Sequence, residues 1–469
     1  SLNDVRAVVS TGGEIVSSTV TRNAQTGECL VTGLSPGTHD IAIHASGWQT
    51  VRREGIVVDA PGDDLRLAPV VLRREKRAQG SFYGIVRPNR GRAVFLQPGE
   101  TFDVFCRNGT GATVRSAALK TEHLKVPLEV VDPEIDRYYY ENTVRLRLPE
   151  ALPRGLYDLE VTIVWKEGDE GYPVLAPQAV QVQGEPRGSF YLVGFGHTNT
   201  WGQVTAEWMG ELAGIINLIH PDFVLISNEV NWAYLAGALA KLRVPYFITT
   251  GNHSYPNFEP FYGARFSVFD AGPIRGVNVG PIWRDHRPAI ESAFAARADA
   301  PIRVINTYEP NFPVEDLLDV YRINLVHDAH GIGPRVDQWG QTPTWRVGKS
   351  NADSFRLIRF RDGQVVSATY RDHPLEPMPL PRSGPPPLAV TFDAANDGTS
   401  SRLTAEVVNG YHETFEHADV QFVMAKGRYT TSQGRIAQQY DSGDRTRTIV
   451  HVTLEVQPAS IHLITLRQE

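Results

Sequence analysis

Four polar clusters, each at the end of an apolar run, hold the side chains best suited to chemistry. They are Gly194-Phe195-Gly196-His197, Ser227-Asn228-Glu229-Val230-Asn231, Gly251-Asn252-His253 and His327-Asp328-Ala329-His330. Imidazole, carboxylate and amide oxygen bind divalent metals, and the first two also exchange protons with a substrate. A buried strand that stops abruptly in such a cluster delivers it to the carboxyl edge of a sheet, where open α/β sheets place their sites. Gly251 permits the tight turn needed after Tyr246-Phe247-Ile248. A lone G-N-H says little by itself. The bland reading of a solitary histidine, a satisfied core or rim residue, weakens when His197, His253 and His330 are all expected at strand ends that converge.

The elements that must position these groups follow from periodicity. A strand over 190–193 precedes apolar residues Val204, Trp208, Leu212, Ile215, Ile216 and Ile219, spaced at three and four as on a helix face. Then come a strand over 223–226, a helix over 232–242 and a strand over 246–250. An excursion to about residue 301 carries a hairpin at 264–269 and a helix over 289–296. A strand over 302–306, a helix over 314–320 and a strand over 323–326 follow, and a hairpin over 355–369 closes the unit. Strand alternating with helix predicts a largely parallel sheet covered on both faces.

The flanks read differently. Short alternating strands separated by Gly and Pro predict β-sandwiches over residues 1–78, 79–187 and 386–469, with the centre at 188–373 and a proline-rich linker at 374–385. The run from Gly33 to Trp48, with its Pro36-Gly37 turn and Gly47-Trp48 close, resembles the carboxypeptidase-regulatory-like, prealbumin-type module. Pro153-Arg154-Gly155-Leu156-Tyr157-Asp158-Leu159 resembles the penultimate strand of an immunoglobulin-like sandwich.

The 46 basic and 53 acidic residues leave a net charge of −7 without a basic cluster, which argues against a nucleic-acid partner. No apolar run is long enough to span a bilayer as a helix. Cys29 and Cys106 fall in different expected modules and lack metal or redox spacing, so they read as structural thiols. The chain opens on Ser1 rather than Met, and with these β modules the expectation is a secreted or cell-surface protein. Nothing in the sequence fixes the oligomeric state.

In order and spacing, residues 190–370 resemble the calcineurin-like metallophosphoesterase family, which holds two metal ions at strand ends. The fold class expected is therefore multidomain: a metallophosphoesterase-like α/β sandwich flanked by two N-terminal β-sandwiches and one C-terminal one. The family pattern runs D-x-H, G-D-x-x-D or N, G-N-H followed by an acid, a lone His, and G-H-x-H. Here Phe195 stands at the first Asp and His197 is kept. Ser227-Asn228 replaces Gly-Asp, so the bridging carboxylate has become an amide, while Asn231 persists. Asn252 and His253 are kept before Ser254, Tyr308 takes the place of the lone His, and Asp328 stands for the first His of the last motif, with His330 kept.

This pattern leaves four readings. In one, a single divalent ion (Mn, Fe or Zn) is held by His197, Asn228, Asn252, Asp328 and His330, with His253 protonating a leaving group. In the second, a metal-independent enzyme uses His253 and His197 with Asp328 or Glu229 for acid–base chemistry. In the third, a catalytically silent relative binds a small molecule, a glycan or a cell-wall fragment, with Glu229, Asn231, Tyr308, Trp201 and Trp232 around it. In the fourth, the domain is only a scaffold. Two ions about 3.5–4 Å apart repel by roughly 17–19 kcal/mol at an effective dielectric near 20, so a site that has lost its bridging anion is not expected to hold a normal pair.

Overall fold

The computed structural model describes residues 6–11, 14–15, 19–23, 28–44, 51–60, 67, 84–107, 112–138, 141–164, 170–184, 190–196, 206–228, 232–251, 258–263, 265–280, 286–308, 315–329, 336–339, 344–347, 354–366, 369–370, 373–374, 377–381 and 384–469. Strand dominates, divided among several sheets.

Near the amino end, strands Glu14–Ile15, Arg6–Thr11, Gly37–His44 and Val51–Val58 form an antiparallel sheet over a small core of Val9, Ile41 and Ile56. The next eight strands, from Gly84–Arg87 to Tyr172–Val182, form one sheet around a larger core that includes Val104, Leu146, Leu159 and Val180. Its strand Thr101–Arg107 alternates outward and inward at every residue, as a strand with one face in a core must.

The central region departs from the single sheet expected of it. Strands Tyr246–Thr250, Phe223–Asn228 and Phe190–Gly196 run parallel, followed by antiparallel Ser354–Arg361 and Gln364–Val366. A second sheet contains Phe266–Ala271, Ile274–Val279, Ile302–Thr307, Leu325–His327, Thr344–Val347 and Val336–Trp339, in that order. Periodicity reports how each strand is buried but not which strand it pairs with. The hairpin at 266–279 carries the chain out of the first sheet, and the later parallel strands pair on its second arm.

The two sheets face each other. At the amino ends of the parallel strands the gap is filled by rings: Phe223 lies edge-on to Phe247, and Phe247 stacks on Phe269 at 3.8 Å between centroids. Beyond the second sheet, Ile290 and Phe294 of helix Arg287–Ala295 and Leu317 and Leu318 of helix Glu315–Val320 pack on Val277, Ile305 and Val326.

On the far side of the first sheet, helix Ala206–Ile219 is apolar nearly all round, with Trp208, Met209, Leu212, Ala213, Ile215, Ile216, Leu218 and Ile219 buried. A helix of that kind needs cover on two sides. It lies against the first sheet and is covered by strands Leu388–Phe392 and Phe415–Ala425 of the carboxyl-terminal sheets. The proline-rich stretch before those sheets is not a loose spacer. Met378–Pro379 pairs with Ser354 and Phe355, and Met378 and Leu380 are buried in the same core.

The eight-stranded sheet is also bolted to the centre. Arg92 bridges to Phe247 on the edge strand Tyr246–Thr250 and donates to the Phe266 carbonyl at 3.2 Å. That contact covers a sheet edge that would otherwise be open to pairing with another chain.

Candidate functional site

Along the gap between the two central sheets the chemistry changes. The amino end is aromatic; the carboxyl end is polar. Asn278, Asn306 and His327 stand on three adjacent strands, in register with one another, and all three are buried. Alternation along each strand turns them toward the first sheet, because Val277, Ile305 and Val326 face the outer helices.

Their bonds can be followed atom by atom. The Asn306 Nδ2 lies 3.2 Å from the Ile226 carbonyl and 3.4 Å from that of Phe247, both on the facing sheet. It also donates to Asn278 Oδ1 at 2.8 Å. Carbonyl oxygens only accept, so this end of the amide must be its NH2 and the other end its oxygen. That oxygen is 2.9 Å from His327 Nδ1, which must therefore carry the ring proton, leaving the lone pair on Nε2. Burial above all, and the nearby Arg356 guanidinium next, push His327 down to about 3, so the ring is neutral.

Two hydroxyls tie the sheets at the same level. Ser227 Oγ donates to the Thr307 carbonyl at 2.6 Å, and Thr249 Oγ1 to the Val279 carbonyl at 2.8 Å. On the first sheet, Gly194 and Gly196 face this layer. A Cβ on Gly196 would stand 2.2 Å from the Ser227 carbonyl oxygen and 2.5 Å from the Ala329 Cβ. These strand ends can lie this close only because both positions are glycine.

Among the sequence candidates, Asp328 and Tyr308 are described. Each follows directly on a strand of the second sheet, and each is buried. Phe195, at the position of the family's first Asp, belongs to the hydrophobic core, on the strand face it shares with Tyr191 and Val193. Asn228 ends its strand with its backbone paired to Thr250, but its side chain lies outside the described residues, as does that of Trp232 at the start of helix Trp232–Leu239. His197, Trp201, Glu229, Asn231, Asn252, His253 and His330 lie outside them too. Among the described residues no three His, Cys, Asp or Glu side chains gather to hold a metal ion. In the excursion after Gly251, Phe258 is core, packed on Tyr262, and His286 stacks on Phe266.

Sequence reasoning missed Asn278, Asn306, His327 as a network member, and the buried Arg356. A signal was present. Ile274-Arg-Gly-Val-Asn-Val279 and Ile302-Arg-Val-Ile-Asn-Thr307 carry the same lone asparagine at the fifth position of an otherwise aliphatic strand end.

By sequence, the chain matches no protein-family model and no curated protein. Solved structures with a similar course include a purple acid phosphatase from yellow lupin, at 11% identity over 88% of each chain with a TM-score of 0.38. GAP50, the anchor in the inner membrane complex of Plasmodium, is 10% identical, covering 41% of this chain and 89% of that one, with a TM-score of 0.32. A predicted phosphoesterase from Streptococcus pneumoniae is 9% identical, covering 38% of this chain and 86% of that one, with a TM-score of 0.24. At these scores the likeness is one of coarse course alone, and the chemistry of the site rests on its own residues.

Proposed function

We propose that residues 188–373 form a metallophosphoesterase-type α/β sandwich, escorted by β modules at 1–78, 79–187 and 386–469 in an exported protein. Its cleft binds a polar ligand and does not run two-metal phosphoester hydrolysis. The observation that carries this reading is what stands on the first sheet where the family has its acidic metal ligands. Phe195 is committed to the core, the Ser227 hydroxyl is committed to a backbone carbonyl, and amides and an uncharged imidazole fill the space between. A pair of divalent ions needs anionic bridging, and Ser227-Asn228 brings none where the family has its carboxylate. The family's metal pair does not fit this donor set.

The amides of Asn228, Asn231 and Asn252 and the imidazole of His253 suit the hydroxyls of a neutral ligand, and Trp201 and Trp232 carry rings of the kind on which a sugar stacks. A glycan or cell-wall fragment is therefore the ligand class proposed. One observation favours a second reading with a single divalent ion. Asp328 brings a buried carboxylate to the end of strand Leu325–His327, and with His197 and His330 it would make a nitrogen and oxygen donor set.

Both readings are tested by loading the purified protein with manganese, iron or zinc, counting bound ions by mass spectrometry, and assaying bis(p-nitrophenyl) phosphate. At most one ion per chain and no turnover are expected, with binding on a glycan array. Two tightly held ions together with phosphodiester turnover would refute the proposal.

A further inference from the structure

We infer that the Asn278–Asn306–His327 ladder is a positioning device, which fixes the separation between the groups the two central sheets deliver to the cleft. This rests on the cleft reading above. Strands Phe223–Asn228 and Tyr246–Thr250 lead into Asn228, Asn252 and His253, whereas Ile302–Thr307 and Leu325–His327 lead into Tyr308, Asp328 and His330. The ladder lies two residues beneath Tyr308 and one beneath Asp328 in the chain, at a level where backbone carbonyls of one sheet are bonded by side chains of the other.

The gap supplies its own comparison. At the amino end, Phe223, Phe247 and Phe269 fill the gap between the sheets with stacked and edge-on rings, and the Asn324 amide bonds the Gly363 carbonyl at the rim. Rings of that kind tolerate small sliding, because dispersion and burial have little directional preference. At the carboxyl end the same gap is filled by groups whose bonds have fixed directions, although each must be desolvated to sit there. Asn306 is the pivot. Its amide reaches two strands of the opposite sheet and both neighbours on its own, and this arrangement is what fixes the His327 tautomer. A slide of one sheet past the other by a single residue, about 3.3 Å, would carry these groups out of reach of their acceptors. Satisfied polar networks of this sort specify one arrangement where an apolar seam permits several.

The experiment compares Asn306→Leu, close in volume, with Phe269→Leu at the aromatic end of the same gap. Hydrogen exchange is followed by peptide, and zinc binding is titrated by calorimetry. Asn306→Leu is expected to speed exchange about tenfold or more in peptides over 226–230, 248–253, 307–310 and 327–331. The remainder of each sheet should change less, and zinc affinity should fall about tenfold. Phe269→Leu should speed exchange across the sandwich without this bias. Equal, unbiased exchange in the two variants would overturn the inference. Biased exchange in a protein whose wild type takes up neither zinc nor any arrayed glycan would uphold the ladder and remove the cleft reading. If Asn306→Leu does not fold, Asn278→Ala removes one rung and should give the same bias at smaller size. Independently of any variant, nitrogen-15 shifts of the wild-type His327 ring must show a protonated Nδ1 and a bare Nε2, and the opposite tautomer would break the ladder.

Discussion

Gly194 lies against the edge of the His327 ring: a Cβ built on it would stand 2.8 Å from Nε2 and 2.9 Å from Cδ2. The ring has little freedom to retreat, since Nδ1 is held by Asn306. Gly194→Ala should therefore cost about 1–3 kcal/mol, the usual range for overpacking a filled interior. The cost should be largely relieved in a His327→Ala background, a coupling that a double-mutant cycle in urea measures directly. Additive losses would mean that the ring moves aside freely.

Gln178 joins the eight-stranded sheet to the central body. Its Nε2 donates to the carbonyls of Leu239 and Leu242 at 2.7 and 2.9 Å, at the end of helix Trp232–Leu239, where carbonyls lack partners within the helix. The residue itself sits at a φ of 52°, a conformation that non-glycine residues seldom adopt. Gln178→Leu leaves the Leu242 carbonyl without this donor, while the Leu239 carbonyl keeps the Leu242 amide at 3.0 Å, and should destabilise by about 1–3 kcal/mol. Gln178→Gly loses the same bonds but relaxes the backbone, so it should be less harmful than Leu in denaturant titration.

A titratable cluster lies where the eight-stranded sheet, the central region and the carboxyl-terminal sheets meet. His451 Nδ1 is 2.8 Å from Asp419 Oδ2, and the Gly443 amide donates to the His123 carbonyl at 2.8 Å. Burial first, and then Arg447, His451 and Arg243, hold the His123 imidazole below its ordinary range, with Glu122 opposing them. The unfolded chain thus takes up the proton more readily. The stability that a neutral His123 contributes is present above about pH 6.5 and is lost as pH falls below it. Asp419 behaves as an acid-side switch. Burial opposes its charge, but His451, His220 and Arg243 outweigh it, so its share is lost only below about pH 4. The melting temperature should drop between pH 7 and pH 5, and by less in His123→Gln. Parallel curves for the two proteins would show that His123 does not titrate in this window.

What the sequence discloses here, and what it hides, follows from the range of each interaction. The central strands and helices are legible because each carries its own period: helix 206–219 follows from the spacing of Val204, Trp208, Leu212, Ile215, Ile216 and Ile219. Its second buried stripe, Met209, Ala213 and Leu218, marks the seat of the carboxyl-terminal sheets, and nothing local says what covers it. The split into two sheets was hidden for a related reason, because pairing is decided between residues as far apart as Phe190 and Phe360. Asp328 and Tyr308 were found because they end strands in a sequence resemblance. Asn278 and Asn306 were passed over because a lone asparagine in an aliphatic run looks like a flaw until its partners on other strands are known.

The two thiols should differ in reactivity. Cys106 is buried in the eight-stranded core, and burial pushes its thiol up to about 12; Cys29 is exposed. At pH 8, Ellman's reagent should label one thiol per native chain and a second only after denaturation. Rapid labelling of both would mean that the eight-stranded core opens readily.

Asn228 offers the most direct handle on the metal question. It ends strand Phe223–Asn228, where the resembled family has the carboxylate that bridges its ions. An anion placed about 4 Å from a divalent ion attracts it by about 8 kcal/mol at an effective dielectric near 20, before the cost of desolvating the carboxylate is subtracted. Even a small residue of that attraction matters, since about 1.4 kcal/mol is tenfold in affinity. Asn228→Asp should therefore tighten manganese or zinc binding by at least about tenfold, read by calorimetry. Ser401→Asp, on an exposed turn of the carboxyl-terminal sheets, adds the same net charge far from the cleft and should leave affinity unchanged. If the two variants behave alike, the strand ends do not converge on an ion, and the amide at residue 228 is not what separates this cleft from a working metal site.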